Sequence, residues 1–120
     1  MSGRGPGTAP VRHVEKLECW LVTASTLPDT EEQRRGAAPA YTAYLQRHLN
    51  RIALAAQLLD APNGAVTQRL YFVIGGDAEA ARKLLEDSPY QQDGVYRVTE
   101  VRAARGMMGT LMGGVGWVPK

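Results

Sequence analysis

The chain has 120 residues, the size of one ordinary domain, and 14 basic against 12 acidic residues leave a net charge of only +2. The two signs are interleaved, which argues against nucleic acid as a partner. A single cysteine, Cys19, excludes an internal disulfide; no apolar run nears the roughly 20 residues that span a bilayer, and no signal-peptide core stands at the N-terminus, so a soluble cytoplasmic protein without membrane attachment is expected.

Residues 1–12 are glycine, proline and small polar residues with little to bury, and read as a disordered tail. From Val14 to Thr23 the pattern is strand-like, with Leu17, Cys19 and Leu21 on one face and Val14, Trp20 and Val22 on the other. Asp29 and Thr30 ahead of Glu31 and Glu32 suit the start of a short helical turn that Gly36 would end. Pro39 then suits the first position of a new helix reaching about Asn50. Its apolar face holds Tyr41, Tyr44, Leu45, His48, Leu49 and Ile52.

The run "IALAAQLLD" fits either helix or strand by composition. Asn63-Gly64 is a hairpin signal. "RLYFVIG" is a strand with Leu70, Phe72 and Ile74 on one face and Tyr71 and Val73 on the other. Asp77 can cap a helix that buries Ala78, Ala81, Leu84 and Leu85. "DSPY", Asp87 to Tyr90, ends that helix, because Pro89 drives Ser88 out of helical geometry. A last strand runs from Gly94 to about Ala103.

The resulting order is βαββαβ. Two right-handed crossovers around a hairpin give an α+β, ferredoxin-like domain over residues 13–104, with a four-stranded antiparallel sheet and both helices on one face. The other face, to which Trp20, Val22, Tyr71 and Val73 are assigned, needs covering, since each buried large apolar side chain contributes roughly 1.5–3 kcal/mol. A homodimer whose two sheets enclose a space is the simple solution.

The pieces "PAYTAYL", "AAQLLDAPNG", "RLYFVIGGDAEAARKLLEDSPY" and "DGVYRVTEV" resemble the YciI-like (YCII-related) family, and the likeness sets the latter part of "IALAAQLLD" as a strand. The resemblance implies a dimeric α+β barrel with a His-Asp dyad, in a family that includes dehydrochlorinases of aromatic degradation. The family histidine falls at Tyr41 and the family aspartate before proline falls at Ser88, with Asp87 one step earlier. A phenol with an ordinary pKa of about 10 therefore stands where an imidazole would titrate near neutrality.

The candidate residues follow from these positions. Tyr41 is either a general acid or substrate-carbonyl donor, or a helix tyrosine packed on the sheet. Asp87 sits late in its helix, where its charge opposes the helix dipole, and is a candidate base; its bland reading is part of a helix stop. His48, two turns beyond Tyr41, is the other candidate base, or else a half-buried helix histidine. Ser88, Tyr90, Tyr44 and Trp20 are assigned to substrate binding. Trp117 joins them as anchor of the Gly/Met-rich segment 105–120, which is expected to pack over the barrel or the partner subunit. Gly75-Gly76 before Asp77 reads as a turn and cap rather than a phosphate loop, and Cys19 as a buried thiol. Two histidines and one cysteine lack metal-ligand spacing, so neither metal nor other cofactor is expected.

Two functions lead this reading, ahead of cofactor-free oxygenase chemistry, which rests on fold analogy alone. The first is a small cofactor-independent enzyme carrying out elimination, isomerisation or cyclisation on an apolar aromatic or polyketide-like small molecule. The second is a non-catalytic small-molecule-binding or accessory protein that has lost the dyad.

Overall fold

A computed structural model describes residues 16–107. The body comprises Cys19–Ala104. The remaining described residues, at the two strand ends, form a unit of their own, in which Arg105 Nε donates to Glu18 Oε2 at 2.6 Å. The elements are β1 (Leu17–Thr26), α1 (Glu31–Arg47), a 3₁₀ turn (Leu49–Arg51), β2 (Ile52–Leu59), β3 (Val66–Val73), α2 (Ala78–Glu86), α3 (Pro89–Gln92) and β4 (Tyr96–Gly106). The sheet order is β2-β3-β1-β4, and the ferredoxin-like, antiparallel arrangement expected from the pattern is the one found. No helix among the described residues is long and apolar enough to cross a membrane.

The helical segment before the hairpin differs from expectation. One continuous α1 replaces the turn ended by Gly36 and the new helix begun at Pro39. Proline inside a helix forfeits one hydrogen bond and costs about 3 kcal/mol. Here Pro39 and Arg35, whose carbonyl loses its partner, are both exposed, so water can serve that carbonyl. Ala37 is buried, and Ala38, Tyr41, Tyr44 and Leu45 pack on the core from the same helix. That burial outweighs the local breakers.

The hairpin between β2 and β3 closes at Asn63, which adopts a left-handed φ of 61° that asparagine tolerates. Asp77 caps α2 as expected, its side chain accepting from the Ala80 N–H at 2.8 Å. Ala81, Leu84 and Leu85 are buried beneath that helix.

The sheet presents its faces the opposite way from the sequence reading. Val22, Tyr71 and Val73 are fully buried in the helix-covered core, with Trp20 packed against them. Period-two alternation separates two faces but does not say which one the helices cover. Both faces here are apolar. The uncovered face carries Leu21 opposite Phe72, Phe72 opposite Leu54, and Thr23 opposite Leu70, all half-buried. Thr23 and Thr99 share a hydroxyl hydrogen bond of 3.0 Å on it.

Candidate functional site

Tyrosines from four elements meet on the helix-covered face. α1 lays Tyr41 over β3, where its hydroxyl lies 2.6 Å from that of Tyr71. α3 brings Tyr90 flat against Tyr41, with ring centroids 3.8 Å apart and planes 9° from parallel. Tyr96, at the start of β4, stands edge-on to Tyr41, Tyr71 and Tyr90 at 6.1–6.4 Å. Edge-on and stacked pairs suit the ring quadrupoles and fix the cluster's geometry.

The DSPY bend holds this cluster in place. Ser88 is extended, with φ −71° and ψ 154°, and Pro89 occupies the first turn of α3, so the proline begins one helix as it blocks another. Ser88 is fully buried. Its oxygen accepts from the Gln91 N–H and lies 2.6 Å from the Tyr96 hydroxyl, which donates to the Leu85 carbonyl at 3.2 Å. The Ser88 hydroxyl is thus committed to structure rather than turned toward a cavity.

Arg69 of β3 enters the same face, only 3 % exposed. Its guanidinium carbon lies 5.0 Å from the Tyr90 ring centroid, within cation–π range. Its neighbours across the sheet are Ala24 on β1 and Gln57 on β2. Arg69 and Gln57 border two cavities. The larger, about 660 Å³, is also lined by Thr26, Asp29, Glu31 and Arg34. The smaller, about 350 Å³, is also lined by Tyr41, Leu45 and Ala55. Arg34 is paired with Glu31 on α1.

Burial pushes the Tyr41 phenol up, against the opposing effects of the Tyr71 hydrogen bond and the Arg69 charge. Burial likewise drives Tyr71 and Tyr96 above the ordinary phenol range. These hydroxyls are therefore neutral hydrogen-bonding groups at physiological pH.

The other candidates from the sequence lie elsewhere. Asp87 caps the C-terminus of α2 and pairs with Lys83 at 3.3 Å. His48 caps the end of α1 and packs its ring 4.4 Å from that of Tyr44. Tyr44 donates to the Leu84 carbonyl at 2.7 Å, and burial, reinforced by Asp87, raises its pKa. Trp20 donates to the Gly76 carbonyl at 3.0 Å and lines neither cavity. Trp117 lies outside the described residues. The structure thus joins Tyr41, Tyr90 and Ser88 in one network and leaves His48 and Asp87 grouped around Tyr44.

Sequence reasoning missed Arg69, Tyr71, Tyr96 and Thr26. One signal was present: period two puts the charge of Arg69 on the same face as Tyr71 and Val73.

No family model matches the chain, and no curated protein sequence matches it. Among solved structures it is similar to 5-chloro-2-hydroxyhydroquinone dehydrochlorinase (TftG) from Burkholderia phenoliruptrix AC1100, in complex with 2,5-dihydroxybenzoquinone. The two are 18% identical, with a TM-score of 0.59 over 77% of this chain and 96% of the other. At that identity the likeness establishes a shared fold.

Proposed function

We propose that the chain is a YciI-like, cofactor-independent enzyme that moves protons on an apolar aromatic or polyketide-like small molecule, with elimination as the leading reaction class. The observation that carries this reading is the placement of Tyr41 at the smaller cavity, with its hydroxyl tied to Tyr71 and its ring to Tyr90. A neutral phenol held in one orientation can donate to a substrate oxygen or leaving group as charge develops there. Leu45 and Ala55 supply the apolar wall of that cavity, and Tyr90 backs the Tyr41 ring. The shared fold with a dehydrochlorinase supports the reaction class.

The test is release of chloride from 5-chloro-2-hydroxyhydroquinone. Tyr41→Phe keeps the aromatic stack and removes the donor. It is expected to lower turnover at least about tenfold, within the usual contribution of an acid–base group, while circular dichroism shows an intact fold. Turnover unchanged by Tyr41→Phe would refute the assignment.

A second reading, a non-catalytic small-molecule binder, is favoured by one observation: His48 and Asp87 make their contacts around Tyr44 and α2 instead of at the Tyr41 stack. Binding of 2,5-dihydroxybenzoquinone without turnover of any halogenated hydroquinone would establish it. Under either reading the chain pairs through its uncovered sheet face as a homodimer.

A further inference from the structure

Two buried side-chain polar atoms among the described residues lack a hydrogen-bond partner: Thr26 Oγ1 and Arg69 Nη1. Both residues line the larger cavity. They also lie on one face of the sheet. Arg69 is opposite Ala24, and Thr26 is two residues further along β1, so the pair is a diagonal neighbour across two strands. Unpartnered buried donors are costly, and a buried charge without a counter-charge more so. Two such residues beside one cavity need an explanation, and a ligand that moves in against them would supply the missing partners.

We infer that this cavity binds the oxyanion of a singly charged, planar organic acid, with Arg69 and Thr26 as its donors. The inference deepens the proposed function by fixing the charge class of the substrate, and rests on that reading for the role of the smaller cavity.

The charge balance selects a monoanion. Four charged residues line the cavity: Asp29, Glu31, Arg34 and Arg69. Glu31 and Arg34 neutralise one another, and Asp29 is exposed at the rim. Of these four, Arg69 alone is buried, and among the described residues no carboxylate pairs with it; its guanidinium faces the Tyr90 ring and its charge acts on Tyr41 and Tyr96. The lining is formally neutral, but its one buried charge is positive while Asp29 is screened by water, so the buried end suits one negative charge and no more. A phosphate dianion would meet the acids at the rim with a surplus. A guanidinium edge and a hydroxyl suit the planar oxygens of a carboxylate, enolate or phenolate.

The body of such a ligand has a place as well. Arg69 and Gln57 border both cavities, so a ring joined to an oxyanion at Arg69 extends toward Tyr41, Leu45 and Ala55. A substrate that arrives deprotonated also removes the need for a protein base beside Tyr41. The positions of His48 and Asp87 away from the stack are then compatible with catalysis.

Calorimetric titration of the full-length chain with salicylate, salicylamide and inorganic phosphate tests the inference. Salicylate is expected to bind, with neutral salicylamide at least about tenfold weaker, as loss of one charge-assisted hydrogen bond implies, and phosphate not at all. Arg69→Gln should weaken salicylate at least about tenfold and erase the preference over the amide. The isosteric Thr26→Val should weaken it about threefold to tenfold. Arg69→Met adds a readout that a purely structural arginine would not give: removing an unpaired buried charge should leave Tm unchanged or raised.

Absence of salicylate binding, equal affinity for acid and amide, or a salicylate affinity untouched by Arg69→Gln would each overturn the inference. So would a clear fall in Tm for Arg69→Met with salicylate affinity intact. Failure of the proposed function looks different. Charge-selective binding without chloride release from 5-chloro-2-hydroxyhydroquinone removes the catalytic reading and leaves the anion site; chloride release without charge preference does the reverse.

Discussion

Tyr41 lies flat on Tyr90, ring on ring at 3.8 Å, although 49 positions separate the two in the chain. Tyr90 in turn faces the Arg69 guanidinium. The stack therefore links α1, α3 and β3, and both partners border or back a cavity. Stacking adds about 0.5–1.5 kcal/mol beyond burial, and the cation contact about 0.5–2 kcal/mol. Tyr90→Leu is expected to destabilise the protein by about 1–3 kcal/mol and to weaken 2,5-dihydroxybenzoquinone binding, whereas Tyr90→Phe should do little to stability. Urea denaturation of the two variants beside the wild type measures the difference. Equal stability of the leucine and phenylalanine forms would mean that the stack contributes only bulk.

Ser88 provides a second check on how the cluster is held. Its hydroxyl caps α3 and meets the Tyr96 hydroxyl inside the core. Ser88→Ala removes both bonds and leaves a small void. The expected loss is about 1–3 kcal/mol, the range for a buried polar partner plus an N-cap. Because the Tyr96 hydroxyl still has the Leu85 carbonyl to donate to, the loss should sit at the lower end and the fold should survive. The measurement is the denaturation midpoint. If ligand affinity fell sharply in a variant of unchanged stability, Ser88 would be a ligand-facing residue instead.

The buried phenols set the alkaline behaviour. Tyr41, Tyr71 and Tyr96 all have pKa values raised by burial. Below about pH 10, the ordinary phenol value, folded and unfolded chains hold these protons equally and stability is indifferent to them. Above it the unfolded chain releases protons that the folded chain retains, so stability falls as pH rises. Each such tyrosine steepens the fall by about 1.4 kcal/mol per pH unit. Ultraviolet titration should show these phenols ionising together with loss of circular dichroism, not ahead of it. Early, reversible ionisation of all of the chain's tyrosines in a folded protein would contradict the burial.

Much of this architecture was legible from residue order. The antiparallel βαββαβ plan, the Asp77 cap, the Asn63 turn and the extended Ser88 before Pro89 all follow from local chemistry, and each is found. Gly36 and Pro39 misled because propensity is local while burial of Ala37 and Tyr41 is not. The sheet faces were inverted because Leu21, Leu54, Leu70 and Phe72 are as apolar as Val22, Tyr71 and Val73; only the helices, packed from a distance in sequence, decide between them. Tyr41 and Tyr90 were read as candidate site residues by their positions, and the structure stacks the two rings on one another. Arg69 was not read as one, because an arginine in a strand ordinarily extends its charge to water.

The inverted faces sharpen the expectation for assembly. Leu21, Leu54, Leu70 and Phe72 form the surface that no helix among the described residues covers. Pairing two such surfaces buries apolar area at about 25 cal/mol per Å², and a specific interface needs about 800 Å² from each partner. The chain is expected to sediment at twice its own mass. Phe72→Glu, which places a charge at the centre of that surface, should give a monomer with unchanged circular dichroism. Because Thr26, Arg69 and Tyr41 serve the opposite, helix-covered side, that monomer should still bind salicylate. A wild-type chain that is monomeric at high concentration would refute the pairing. A Phe72→Glu monomer that loses the ligand would show instead that the cavities depend on the partner subunit.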